Sequence, residues 1–285
     1  MILVVGATGT TGSVVVRELL DAGVPVRGLT RFEEGAQELR ALGAEAVVGD
    51  LADPLSFVGA LRSVERMYLV SSSSEHSAEL ERNAISAAEQ EGVYHCVKLG
   101  ALGQSASSPV RYSRAHADAI DALQSSSLRW TVLLASSFMQ NVLAAAPTIA
   151  TGQYFSSIGD ARVAHVDARD VGAVAARALA QEGHENCTYT LTGPESLSND
   201  ELVATLSEVL GREVEHVRLD DEQVAAALRQ AGVPDWNVDG LVEMWEHLYR
   251  SGAASAVTPD VEAVLGRPPR TFRRFAEDHR EVFSG

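Results

Sequence analysis

Lysine is nearly absent from this chain of 285 residues: of its 23 basic side chains, 22 are arginine and one is Lys98. Any chemistry that needs a lysine amine must use Lys98 or do without. Cysteine is scarce too. Cys96 and Cys187 lie far apart, giving neither a disulfide framework nor a paired Cys-x-x-Cys for zinc. Positive charge is in deficit, with 23 Lys and Arg against 39 Asp and Glu and a formal net charge of -16. That balance argues against a nucleic-acid surface, which needs cations to displace the counterions of the phosphates. No apolar run reaches the length of a membrane-spanning helix. The opening Met-Ile-Leu-Val-Val-Gly has no basic lead and runs directly into glycines, so it reads as a strand rather than a signal peptide, and a cytoplasmic location is expected. There is no His-Glu-x-x-His and no Gly-x-Ser-x-Gly, so no metal site and no hydrolase elbow are expected.

What is present is an ordinary globular composition, 46% hydrophobic and 22% charged. Short apolar runs at Met1–Val5, Val24–Leu29, Ala46–Val48, Met67–Val70, Val93–Val97 and Trp130–Leu134 alternate with helical stretches. Runs that are apolar throughout, separated by helices, predict a parallel sheet covered on both faces. The fold class is therefore α/β, a Rossmann-type doubly wound parallel sheet with a smaller C-terminal α/β domain. We expect a nucleotide-binding domain over 1–194 and a smaller domain over 195–285 that closes a substrate cleft, with parts of 135–165 contributing. In the second region Ser198 precedes an apolar-periodic segment ending at Leu210, with Asp200 and Glu201 in its first turn and Gly211 just beyond, the pattern of a capped helix.

The informative motif is Gly6-Ala7-Thr8-Gly9-Thr10-Thr11-Gly12, between the first strand and the first helix. Glycines there permit a tight turn and a close approach of the backbone to a pyrophosphate, and the helix start supplies free N–H groups and a favourable dipole. Gly6, Thr8, Gly9, Thr10, Thr11 and Gly12 are accordingly cofactor-binding candidates. At the end of the next strand, where an acid would hold the ribose 2′-hydroxyl of NAD, the chain has Arg31. A planar guanidinium suits a 2′-phosphate, so the expected cofactor is NADP(H) rather than NAD(H); the alternative is a surface arginine paired with Glu33 or Glu34. Asp50 and Leu51 end the third strand, where Asp50 either meets the adenine amino group or simply makes a turn before Pro54. Ser71 and Ser72 follow the fourth strand, and Leu99 the fifth, at the same ligand-binding edge.

These residues, with Trp130-Thr131-Val132-Leu133, Ser137-Phe138-Met139-Gln140-Asn141 and Leu191-Thr192-Gly193-Pro194, resemble the NmrA-like branch of the atypical short-chain dehydrogenase/reductases. The likeness runs to Leu265-Gly266-Arg267-Pro268-Pro269-Arg270-Thr271-Phe272. The branch contains quinone reductases, triphenylmethane dye reductases, nucleotide-sensing regulators and tailoring proteins of aromatic secondary metabolism.

Typical short-chain dehydrogenases pair a tyrosine with a lysine four residues on, the lysine lowering the tyrosine pKa. Here Tyr112 is followed by His116, so histidine stands where lysine would, and Lys98 cannot fill the place at that spacing. The resemblance puts His116 at the nicotinamide ribose, where a group titrating near neutrality could donate a proton; Tyr112 is the second catalytic candidate. The alternatives are a surface histidine and a half-buried structural aromatic. The family's usual Arg-Pro after the sixth strand is Leu134-Ala135 here, and its usual glutamate four residues past the Lys/His position is Ile120. Phe138, Met139 and Asn141 are candidates for the substrate floor, or for ordinary helix packing. The expected activity is NADP(H)-dependent reduction of a quinone or other conjugated aromatic, by a monomer or homodimer. Two other readings stay open: a non-catalytic NADP(H) sensor, and a tailoring or coupling protein for aromatic polyketides.

Overall fold

The first strand has no polar position to show to water. Ile2–Val5 (β1) is buried at all four residues, as a central strand covered on both faces must be. The structure, a computed structural model, describes residues 1–285. After β1 come α1 (Gly12–Asp21), β2 (Val26–Thr30), α2 (Glu33–Ala41), β3 (Glu45–Val48), α3 (Pro54–Ala60), β4 (Arg66–Leu69), α4 (Ser77–Gln90), β5 (His95–Ala101), α5 (Arg111–Ser125) and β6 (Arg129–Ala135). A 3-10 turn over Met139–Ala145 leads into α6 (Ala146–Ala150), β7 (Gln153–Ser156), α7 (Ala168–Ala180) and β8 (Cys187–Leu191). The remainder is α8 (Asn199–Leu210), β9 (Glu215–Arg218), α9 (Asp221–Gln230), α10 (Asp235–Met244), α11 (Asp260–Leu265), α12 (Phe272–Asp278) and α13 (Arg280–Ser284).

Seven strands form one sheet in the order β3-β2-β1-β4-β5-β6-β8. β1 pairs parallel with β2 and β4, β2 with β3, and β4 with β5. This is the expected Rossmann-type α/β fold. Leu3, Val5, Met67, Leu69 and Cys96 from the strands meet Phe57, Ala84, Ile85, Ala88 and Leu123 from the helices in its core. Helices α1 and α7 approach so closely at Gly172 that a Cβ there would stand 2.5 Å from Val14 Cβ.

The chain divides into two compact units: 1–106 with 113–134 and 168–189, and 107–112 with 135–167 and 190–285. They interleave along the sequence, with 135–167 in the second unit. The second unit has its own core, in which Val142, Ile149, Leu202, Leu206, Phe272, Phe275 and Phe283 are buried. Its two-stranded sheet pairs β7 parallel with β9. Ser198 caps α8 in a reciprocal capping box with Glu201, and Gly211 closes it in the left-handed region at φ 69°. Helix α10, starting at Asp235, loosens into a π turn over Trp245–Tyr249.

Candidate active site

Strand order locates the site. Between β1 and β4 the order of the sheet reverses, and sheets of this kind bind ligands outside the carboxyl ends of their strands at that point. The segments leaving the two strands touch there: a Cβ on Gly6 would lie 2.9 Å from Val70 Cγ1, and Gly6 sits at φ 71°, which favours glycine. Gly12 is tighter, since a Cβ on it would fall 2.1 Å from the Gly6 carbonyl oxygen. The Gly9 N–H donates to that same oxygen at 2.9 Å and closes the turn. Thr8, Gly9 and Thr10 are exposed around it. This glycine turn, opening a ten-residue helix, fits a pyrophosphate.

Thr11 is different. It is buried, and its Oγ1 lies 2.8 Å from the Tyr68 hydroxyl, so its side chain joins α1 to β4 instead of facing a ligand. Arg31 is exposed, with its guanidinium 5.5 Å from the centre of the Phe32 ring. Glu33, one of its two possible partners, binds Arg40 at 2.6 Å instead. The fork of Arg31 is thus open to an anion. Asp50 has one carboxylate oxygen in a turn, accepting from the Ala52 N–H at 2.9 Å, and Asp53 rather than Asp50 caps α3. Leu51 is half-buried against the core.

Ser72 is exposed, but Ser71 turns inward: its N–H and its hydroxyl both donate to Glu81 Oε1, each at 3.0 Å. The other oxygen of Glu81 holds Lys98 Nζ at 3.0 Å, with the two side chains 3% and 0% exposed. Lys98 Nζ also donates to the carbonyl of Leu99, itself buried, and lies 3.5 Å from His116 Nδ1. The lone lysine therefore does reach His116, from strand β5 rather than from α5. Sequence spacing spoke only to the place four residues after Tyr112 on one helix, and a strand-to-helix contact cannot be counted that way. A signal for Glu81 was nevertheless present: it shares the helical stripe of Ala84, Ile85 and Ala88, where a carboxylate must find a buried partner.

Both catalytic candidates have partners within the protein. His116 does not titrate near neutrality; burial first, and the positive charge of Lys98 second, push its pKa down to about 3, so the ring is neutral. The Tyr112 hydroxyl donates to the Asn237 carbonyl at 2.6 Å, and its ring packs edge-on against Trp236 at 5.1 Å. Gly240 leaves room for that ring, since a Cβ there would come within 2.7 Å of it. Burial raises the phenol pKa, and the hydroxyl is engaged by the Asn237 carbonyl.

In the second unit Phe138 is half-buried and bridges to Val166, and Asn141 is exposed with its amide 3.3 Å from Ser137 Oγ. Met139 is 1% exposed and belongs to the core with Val142 and Ile149, which corrects its place among the substrate contacts. Ser156 Oγ, His216 and Asp200 form a chain at 2.9 and 2.6 Å that mimics a hydrolase triad. The His216 side chain is only 3% exposed and Asn199 bonds the serine oxygen at 2.5 Å, so this chain ties β7, β9 and α8 together. Asp200 is also held by Arg218 at 2.8 Å.

Comparison with known proteins agrees with this geometry. The profile of the NmrA-like family matches residues 1–275. An NAD(P)H azoreductase of Xenophilus azovorans is 37% identical over 284 residues, 99% of each chain. Among solved structures, an NADPH-dependent quinone oxidoreductase from Escherichia coli in complex with NADPH superposes with a TM-score of 0.88 at 29% identity, covering 98% of this chain and 99% of the other. The triphenylmethane reductase of Citrobacter sp., complexed with NADP(H), gives 0.87 at 26% identity over 98% and 99%.

Proposed function

The chain belongs to the NmrA-like family, and on that premise we propose that it is an NADP(H)-dependent oxidoreductase that reduces a quinone or another conjugated aromatic. The observation that carries this reading is the glycine turn at the sheet's reversal point beside an unpaired Arg31, in a chain similar over its whole length to an NAD(P)H azoreductase. The backbone of Gly6–Gly12 would hold the pyrophosphate and Arg31 the 2′-phosphate. A bound nicotinamide supplies hydride.

The protein side of the chemistry is modest. With Tyr112 bound to Asn237 and His116 neutral, neither catalytic candidate offers an acidic proton at working pH. That suits an acceptor such as a quinone, in which the oxygen becomes an aryl oxide that needs a hydrogen-bond donor more than a strong acid. His116 would supply that hydrogen bond, and solvent the proton.

The test is steady-state oxidation of NADPH with a panel of quinones and azo dyes, run beside an enzyme-free control. Turnover with at least one acceptor is expected. Tight NADPH binding with no oxidation by any quinone or azo compound would turn the reading toward a nucleotide sensor.

A further inference from the structure

The buried group around Lys98 has a role to be explained, because an ion pair without solvent is expensive. Removing two charges from water costs several kcal/mol per ion after relaxation, and apolar side chains of the same volume would stabilise the core at least as well. Glu81 lies on the inner face of α4 and Lys98 in the middle of β5, opposite Leu69 of β4. Every hydrogen of the ammonium has an acceptor. One is Glu81 Oε2, one is the Leu99 carbonyl, and the third is Nδ1 of His116. Glu81 is fixed in turn from behind, by the N–H and hydroxyl of Ser71.

We propose that Lys98 is a positioning residue for His116: anchored by Glu81 and Leu99, its ammonium donates to Nδ1 and leaves the ring's single hydrogen on Nε2. An imidazole is neutral with one donor and one acceptor nitrogen, and the partner of one nitrogen decides what the other can do. An ammonium carries only donors, so Nδ1 must accept. The ring is then a fixed hydrogen-bond donor through Nε2, with no change of charge to blur its function as pH varies. Lys98 is the charge that acts on the ring; Glu81 holds Lys98, and on α5 Arg114 and Asp118 stand two residues to either side of His116, with Asp118 bound by Arg82 of α4. This inference rests on the reductase reading only for the use to which the donor is put. The tautomer itself is a property of the protein alone.

The experiment is nitrogen-15 NMR of the histidine rings in the full chain, from about pH 5 to about pH 9, with His116→Asn for assignment. We expect His116 to show an unprotonated Nδ1 and a protonated Nε2 throughout. In Lys98→Met, Nδ1 loses its donor, so the fixed tautomer should be lost and the Nδ1 and Nε2 signals should move toward an average of the two neutral forms. Hydrogen on Nδ1, a ring that charges between about pH 6 and about pH 7 in the unaltered protein, or a Lys98→Met ring indistinguishable from the parent would each overturn the proposal. If Lys98→Met does not fold, the unaltered chain still decides the tautomer, and Glu81→Gln must loosen Nδ1 from its donor and broaden or shift its signal; an unmoved signal counts against us. Failure to oxidise NADPH leaves these spectra unchanged, so the two readings fail separately.

Discussion

Thr11 Oγ1 and the Tyr68 hydroxyl meet at 2.8 Å in the interior, pinning the first turn of α1 to the middle of β4. Burial drives the Tyr68 phenol above its ordinary pKa, so it is a neutral hydroxyl at any working pH. Tyr68→Phe strands the threonine oxygen without its partner and should cost about 1–2 kcal/mol, read as a lower urea midpoint with an unchanged slope. Adding Thr11→Val removes both partners, and the double variant should lose less than the sum of the singles. Strict additivity would mean that the two groups do not interact.

Arg31 governs the choice of cofactor. Charge-assisted hydrogen bonds are worth about 1.5–3 kcal/mol. Arg31→Ala should therefore weaken NADPH roughly ten- to a hundredfold by titration calorimetry while leaving NADH almost untouched. Equal affinity of the parent for both cofactors would remove Arg31 from the site.

Gly12→Ala should damage the nucleotide turn. Its Cβ would fall 2.1 Å from the Gly6 carbonyl oxygen, which is backbone and cannot swing aside. Overpacking of this kind costs about 1–3 kcal/mol or more, and here the displaced atoms belong to the cradle itself. A lower melting temperature together with lost NADPH affinity is expected. Gly59→Ala, inside α3 where a Cβ meets nothing within 4 Å, is the control: it should leave NADPH affinity unchanged and raise rather than lower the melting temperature.

Acid should destabilise the protein earlier than its carboxylates alone require. Burial depresses the pKa of His95 and of His165 from 6.5 to about 4, and that of His116 to about 3. Above the unfolded value all three rings are neutral in both states and contribute no pH dependence. As pH falls below about 6.5 the unfolded chain takes up protons that the folded chain refuses, so stability declines. The decline should continue to about pH 4 for His95 and His165, and to about pH 3 for His116. Urea midpoints measured across this window give the slope, which should approach three protons. A flat profile between about pH 6.5 and about pH 5 would contradict the neutral rings.

The Lys98 and Glu81 pair should show the asymmetry of buried ions. Glu81→Leu alone leaves an ammonium in the core without its counter-ion and should cost about 3–5 kcal/mol. Lys98→Met together with Glu81→Leu should be milder than either single change. Stability curves of the three variants test this, and a double variant worse than both singles would refute it.

What the sequence determined is what is local in the chain. The strand, glycine turn and helix that make the nucleotide cradle are consecutive from Ile2 to Asp21, so backbone chemistry alone was enough to read them. Ser198, Glu201 and Gly211 likewise delimit α8 through contacts within the helix and its caps. Arg31 needed only its position one residue beyond β2. The tertiary structure decided the rest. Ser71, Glu81, Lys98 and His116 come from a loop, two helices and a strand, brought together because β4 pairs with β5 and α4 and α5 pack nearby. Tyr112 and Met139 were plausible site residues by spacing, yet one bonds Asn237 and the other lies in a core. Whether a polar side chain serves chemistry or packing depends on its solvent exposure and on partners far off in the chain. Neither quantity is carried by neighbouring residues: burial sets the cost of a charge, and only the folded chain sets the burial.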